Sequence, residues 1–411
     1  MTLGLRTLFE SAVSSYDPAR LVQEHLAARP LLGQDFTVLA LGKAAVPMLR
    51  GARAALGARI RSEVVVAPTI PTSAPVGWFA SSHPTPSHSS ETAAHALLAE
   101  ARAAVGPVLA LLSGGGSALA ELPPAGLSLQ ETTALVSDVY ASGADIEELN
   151  TVRKHLSLFK GGQLAAASSR AVRTLVLSDV LGDCLSTVAS GPTVPDSSTF
   201  SDALHIVEVR CGANALGPAV EHLRAGVAGL HPETPKETRA GDEAILLAGI
   251  RSFVEHTVEH AGSMGARAIE NRGLFEGSVH DVATMLSQQI LSAAPGPAVW
   301  IWGGEATIAL PAAPGLGGRA QHLALLLAER IADVPDVQIL VAGSDGIDGN
   351  SQAAGALVDG ATWRSIQNAG HQPRAALLAC DTARVLAAVG AEIVTGPTGV
   401  NHADLVLVQF S

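Results

Sequence analysis

Aromatic side chains make up only 3% of the 411 residues, so any core must be filled by aliphatic ones. The chain is nevertheless 47% hydrophobic and carries 41 glycines, a balance that suits an α/β enzyme and excludes a disordered polymer. Cysteine is nearly absent. Cys184, Cys211 and Cys380 lie far apart with no CxxC pair, which argues against a structural disulfide or zinc site and for a reducing cytoplasm. Positive charge is in the minority. A net charge of −12 argues against a nucleic-acid partner held by counterion release, and means that an anionic substrate needs a local cationic pocket or a metal ion. No apolar run approaches the roughly eighteen residues of a membrane span. The first twenty residues read as an amphipathic helix, not a leader. The expectation is a soluble, cytoplasmic monomer or homodimer acting on a small molecule, with no membrane or nucleic-acid partner.

What is present is an alternation of apolar strands and helices. Residues 35–42, 62–68, 107–116 and 173–180 read as strands, and the apolar spacing of Ile146, Leu149, Val152, Leu156 and Phe159 predicts a helix over 144–160, ended by Gly161-Gly162. Such units imply a mainly parallel sheet covered on both faces. The polar stretch at 231–240 reads as a domain boundary. The predicted architecture is therefore α/β with two domains. One, over 1–234, is Rossmann-like, with a mainly parallel sheet and helices on both faces. The other, over 240–411, is a smaller α/β domain with a mixed sheet and a core of about 297–408.

Charged groups are few, so their clustering at strand ends carries weight. The run LVLSDVLGDCLSTVASGPTVPD strands Asp179 and Asp183 just beyond an apolar segment, where a hard cation and phosphate oxygens could be held. Ser113-Gly114-Gly115-Gly116-Ser117 follows another strand. Its backbone N–H groups and hydroxyls could cradle a phosphate or carboxylate, although the same pattern also makes a plain strand–helix turn. It is neither a Walker A loop nor a sound dinucleotide fingerprint. Lys43 is the only charge between Phe36 and Leu49, and from a strand end it could reach a phosphoryl oxygen. On the 144–160 helix Asn150, Arg153, Lys154 and Ser157 share a polar face, solvated or substrate-binding.

In the second half, Glu305 and the Asp345 loop add carboxylates at strand ends. Gly317-Gly318-Arg319 opens a helix with a cation that the macrodipole disfavours there, and that could stabilise a transferring phosphoryl group. Thr395, Gly396, Thr398 and Asn401 form a hydroxyl-rich turn suited to a nucleotide, or to a hairpin alone. His83 lies in a proline-rich loop, as a base, a ligand or a solvated side chain.

In chain order, LGKAA, LSGGGSAL, SGADIEELNTVRKHLSLFKGGQLA, LSDVLGDCLSTVASGPTVPD, WGGEATIAL, GLGGRAQHLALLL, GSDGIDG and TGPTGVNHADLVLV resemble the class II glycerate 2-kinase family, whose C-terminal portion is the MOFRL domain. The resemblance implies transfer of the ATP γ-phosphoryl group to the 2-hydroxyl of D-glycerate, with Mg²⁺ as the divalent cation. It places the functional lysine at Lys43 and the arginine at Arg319. The family's acids match Asp183, Glu305 and Asp345, with Asp179 adjacent. We expect Lys43, Arg319 and Asp345 to be catalytic, and Asp179, Asp183 and Glu305 to face the metal. The 113–117 turn with Asn150 and Arg153 would hold substrate or phosphate. Gly317, Gly318, Thr395, Gly396, Thr398 and Asn401 would hold the nucleotide. The chain departs from the family pattern in having SHPTPSH for GHPVPDE, Cys184 for an acid, and Ala320 and His322 after Arg319 for an amide and an acid. Two alternatives stand: an NAD(P)H-dependent hydroxypyruvate reductase, and a degenerate member that binds sugar acid or nucleotide as a sensor.

Overall fold

A computed structural model describes residues 4–33, 35–294, 296–400 and 402–411. Two compact units divide the chain. One is Pro18–Leu247; the other joins Ala248–Ser411 to the residues up to Asp17.

The Pro18–Leu247 unit is built on a sheet of β1 (Phe36–Leu41), β2 (Ile60–Ala67), β3 (Trp78–Ala80), β4 (Val108–Ser113), β5 (Val172–Leu177) and β6 (Glu243–Ala248), in the order β3-β2-β1-β4-β5-β6. The pairings of β1 with β2 and β4, of β2 with β3 and of β4 with β5 are all parallel. This is the doubly wound order, in which the chain reverses direction between β1 and β4 and leaves a crevice beyond their carboxyl ends. Every residue of β1 and β4 is buried, as near-continuous apolar runs require when both faces are covered. Leu39, Leu41, Val66, Ala110 and Leu112 pack with Leu97 and Leu98 of the helix His88–Ala103. The alternate residues Val38, Ala40, Val65, Leu109 and Leu111 are equally buried, and the helix Ala45–Leu56 lies against these strands.

The other unit carries a mixed sheet of β7 (Ile269–Ser278), β8 (Ala298–Thr307), β9 (Val337–Gly343), β10 (Gly355–Asp359), β11 (Glu392–Ile393) and β12 (Asp404–Phe410), ordered β11-β10-β9-β12-β8-β7. Only β7 and β8 run parallel; the remaining pairs are antiparallel. Trp302, Ile339, Val341, Val406 and Val408 share a core with the helices Val279–Leu291 and Arg319–Arg330. The opposite-parity residues Ile301, Leu340, Leu405 and Leu407 are also fully buried, and the helices Leu5–Ser15 and Ile250–Ser263 lie against their strands. The N-terminal amphipathic helix thus belongs to this unit.

The predicted helix over 144–160 is shorter, Ile146–His155. Asp145 caps it, accepting from the Glu147 and Glu148 amides at 2.9 Å. It ends early because the Ser157 hydroxyl accepts from the Phe159 and Lys160 amides and turns the chain away from helix. Among the described residues no helix is long and apolar enough to cross a membrane.

Candidate active site

At the crevice beyond β1 and β4 the two loops are tied together by the backbone. The Lys43 amide donates to the Gly114 carbonyl at 2.9 Å, and the Ala44 amide donates to Ser113 Oγ at 2.9 Å. Gly42 has φ +125°, and a Cβ there would strike Ser113, so glycine is required for the approach. Lys43 is half-buried, and no acceptor pairs with its ammonium among the described residues. Gly115 has φ +80° and lies between Lys43 and His83; a Cβ would touch both. Burial, and then the charge of Lys43, hold the His83 imidazole below its ordinary pKa. Beyond β5, the Asp179 carboxylate lies against Gly114 so closely that any Cβ would collide with it. Asp183 takes a left-handed φ of +52°, and its Oδ1 is buried without a partner among the described residues. Gly116 opens a helix of only four residues, Gly116–Leu119, so little helix dipole reaches an anion there.

A cavity of about 330 Å³ opens beside this loop, lined by His83, Gly115, Ser117, Glu121, Arg153 and Lys160 together with hydroxyl-bearing Thr132, Thr133 and Ser137. Lys160 is 1% exposed and forms an ion pair with Glu121. Burial lowers the Lys160 pKa, and Glu121 opposes that. Arg153 also faces the cavity and has no acceptor among the described residues; burial pulls its pKa down against the attraction of Glu121. A solvated face was one reading of this helix. Asn150, Lys154 and Ser157 are in fact buried, with Lys154 paired to Asp196 at 3.3 Å. Asn150 Oδ1 accepts from Ser190 Oγ at 2.7 Å, which in turn contacts Ser117 Oγ at 2.8 Å.

In the other unit, Arg319 opens its helix between two carboxylates. Its Nε donates to Asp404 Oδ2 at 2.7 Å and its Nη2 to Asp404 Oδ1 at 3.3 Å, while Nη1 donates to Glu305. Burial works against the charge, but Asp404 and Glu305 hold the guanidinium pKa above its ordinary value. Burial pushes the Asp404 carboxyl up to about 6 despite Arg319. Asp345 approaches the same place: its Oδ1 and that of Asp404 both flank Gly343. The missing counter-charge at the helix start is Asp348, which accepts from the Ala320 and Gln321 amides at 3.0 and 2.7 Å and caps the helix. Burial lifts its pKa to about 7. Gly318 must be glycine because Asp348 occupies the space of a Cβ, and the Gly317 amide donates to Asn350 at 2.8 Å. The 395–399 turn joins this cluster. Thr398 donates from its amide to the Asp345 carbonyl at 3.1 Å, the Gly396 carbonyl packs on Gly346, and Thr395 Oγ1 bonds Gly396. Asn401 lies outside the described residues.

Sequence reading passes over Asp404, Glu121 and Lys160, and gives Asp348 and Ser190 no separate role. Asp404 carries the clearest signal, as the acid at the head of the long apolar strand β12. Among the described residues no three His, Cys, Asp or Glu side chains converge on a point suited to a metal ion. A magnesium ion does not need three, since it binds through one or two carboxylates plus substrate phosphates and water. The half-buried Asp179 and Asp183, with the orphaned Asp183 oxygen, are a hard donor set that fits such an ion.

Residues 4–224 match the model of a domain of unknown function, DUF4147, and residues 298–404 that of the MOFRL family. Over 97% of this chain and 96% of its own length, D-glycerate 2-kinase of Thermotoga maritima is 37% identical. A protein of Agrobacterium vitis that carries a provisional hydroxypyruvate reductase name is 36% identical over 98% of this chain and 92% of its own. The crystal structure of a glycerate kinase from Thermotoga maritima superposes with a TM-score of 0.87 at 33% identity, covering 99% of this chain and 98% of that one. With both domain models in order and full-length relatives of this similarity, the chain belongs to the class II glycerate 2-kinase family.

Proposed function

We propose that this chain transfers the γ-phosphoryl group of ATP to the 2-hydroxyl of D-glycerate, giving 2-phosphoglycerate and ADP. The observation that carries the proposal is Lys43, without a partner for its ammonium among the described residues and held by the SGGG loop at the crevice between β1 and β4. Phosphoryl transfer asks little covalent chemistry of a protein; it asks for positioning and for fixed positive charge at the equatorial oxygens. We assign that task to Lys43, and on the family resemblance to Arg319 as well, whose guanidinium Asp404 and Glu305 already engage. In the reaction the 2-hydroxyl oxygen forms a bond to the γ-phosphorus, the bond to the β,γ-bridging oxygen breaks, and ADP leaves. Asp345 receives the hydroxyl proton. Arg153 takes the substrate carboxylate, since it faces the cavity with no acceptor among the described residues while the neighbouring Lys160 is neutralised by Glu121.

Asp179 and Asp183 would hold Mg²⁺, which when bound neutralises charge on the β- and γ-phosphate oxygens. Glu305, expected with them at the metal, is engaged by Arg319 and serves with Asp404 to hold that side chain in place. The Asp345 loop and the Thr395–Gly396–Thr398 turn, joined by hydrogen bonds, are the nucleotide side of the proposal, with Gly317 and Gly318. A nicotinamide reaction is poorly supported. In this sheet order the pyrophosphate sits at the turn after β1, and here that turn has one glycine followed by a lysine instead of a glycine fingerprint.

The test is ADP release coupled to D-glycerate, with Lys43→Ala and Arg319→Ala beside the parent chain. Turnover that depends on D-glycerate and collapses in both variants supports the proposal. Turnover at parent rates in both variants overturns the assignment.

A further inference from the structure

We infer that Ser117 offers the cavity a hydrogen-bond acceptor, and so reads a hydroxyl group of the bound acid, not its carboxylate or a phosphate. This rests on the proposal that a small hydroxy acid occupies the cavity. It reverses the role first read into the SGGGS hydroxyls, which was to donate to an anion.

The direction follows from proton counting. An amide oxygen can only accept, and a serine hydroxyl has one proton. With the Asn150 amide turned oxygen-first, its Nδ2 being left buried without a partner among the described residues, Ser190 donates that proton to Asn150 Oδ1 at 2.7 Å. In its 2.8 Å contact with Ser117, Ser190 must therefore be the acceptor and Ser117 the donor. The only Ser117 proton is thus spent inward, so that toward the cavity this residue lines its oxygen can offer only lone pairs. Lone pairs repel carboxylate and phosphate oxygens and attract an O–H.

The ladder is built rigidly. Ser190 is 0% and Asn150 4% exposed, so neither exchanges its partner for bulk water. Ala189, Ser190 and Gly191 have successive left-handed φ values of 52°, 59° and 59°, which L-residues other than glycine rarely adopt. Such strain persists where surrounding structure fixes it, and here it aims the Ser190 side chain at Asn150 and Ser117. Asn150 is fixed in turn by the helix that Asp145 caps. The consequence is a division of labour in one cavity. Arg153 recognises the charge of the acid, while Ser117 recognises a group that still carries a proton. Where the hydroxyl read is the one at C2, an oxo acid such as hydroxypyruvate has no proton to give at that point, and the ladder then favours hydroxy over oxo acids.

The experiment measures binding of D-glycerate, D-lactate (no 3-hydroxyl) and 3-hydroxypropionate (no 2-hydroxyl) to the parent chain, Ser117→Ala, Ser117→Thr and Ser190→Ala, with melting temperatures as the folding control. Removing Ser117 Oγ is expected to weaken D-glycerate about five- to tenfold, as for one neutral hydrogen bond. It should change by less than about twofold the affinity for the one analogue that lacks the hydroxyl Ser117 reads. Ser117→Thr should retain the parent pattern. Ser190→Ala frees the Ser117 proton to turn outward and should shrink the preference for D-glycerate over that same analogue. Equal losses for all three acids in Ser117→Ala, or no loss for any, would overturn the inference while leaving the kinase proposal standing. A folded parent chain that binds none of the three would overturn the kinase proposal and this inference with it.

Discussion

Arg319 grips Asp404 through both carboxylate oxygens, from Nε at 2.7 Å and Nη2 at 3.3 Å, while its third nitrogen reaches Glu305. A two-point grip fixes the plane of the guanidinium as well as its position, which a lysine could not reproduce. The Asp404 carboxyl, ordinarily near 3.8, is lifted by burial to about 6. Between those values the folded protein binds this proton more tightly than the unfolded chain does. The group's contribution to stability is therefore fully present below the lower value and is lost as pH rises through the upper one. Acidification from pH 8 to 5 should protonate Asp404 and loosen Arg319 without loss of stability through this group. We predict an acid limb in turnover near pH 6 that is not matched by a fall in melting temperature. Asp404→Asn should lower turnover at pH 8 and flatten the limb. A limb that persists unchanged in that variant would locate the titration elsewhere.

Lys43→Ala should reduce turnover by roughly two to three orders of magnitude, the scale of removing one preorganised charge-stabilising group. Its ammonium has no partner among the described residues, so the melting temperature should stay close to that of the parent. A large thermal shift with modest loss of activity would make the lysine structural.

Asp348 caps the arginine helix at the cost of a buried charge, its pKa raised by burial to about 7. As with Asp404, the sign means that its contribution to stability is lost as pH rises through that value. Asp348→Ala should destabilise the fold by about 1–2 kcal/mol. Asp348→Asn carries no charge and keeps one accepting oxygen but sets its NH2 against the second of the two amides, so it should fall between Asp348→Ala and the parent at pH 8. Denaturant melts at pH 6 and pH 8 separate the two.

Glu121 is the counter-ion of Lys160, which is 1% exposed beneath the cavity. Truncating Glu121 to Ala strands a buried cation and should cost about 3–5 kcal/mol, whereas an apolar pair, Glu121→Leu with Lys160→Met, should recover most of that. Equilibrium unfolding of the single and double variants gives the answer.

Asp183→Asn should raise the Mg²⁺ concentration needed for half-maximal turnover at least about tenfold, with activity partly restored at high metal. Loss that no metal concentration relieves would assign Asp183 another role.

The fold was legible where physics acts locally. The apolar runs of β1, β4 and β5 are buried on both faces and announce themselves without alternation. β7, with Glu270, Asn271 and Glu276 exposed at a sheet edge, has no such run and went unread. The helix carrying Asn150 and Arg153 was recognised by its period, but its end depends on a side chain–backbone bond from Ser157 that no period records. Single charges in apolar surroundings, Lys43 and Arg319, were found because they had no local explanation. Their partners were not, because Asp404 lies eighty-five positions from Arg319 and only the sheet brings them together. The Ser117–Ser190–Asn150 ladder was invisible for the same reason, since its members come from three separate segments of chain.

Phosphorus NMR of the products formed from ATP and D-glycerate tests the central claim most directly. We expect equimolar ADP and a new phosphomonoester resonance assigned to 2-phosphoglycerate, absent without D-glycerate and, at equal reaction time, strongly diminished with Lys43→Ala. A 3-phosphoglycerate signal would contradict the assigned hydroxyl. ATP left intact beside D-glycerate, together with oxidation of NADH or NADPH by hydroxypyruvate, would contradict the kinase account as a whole.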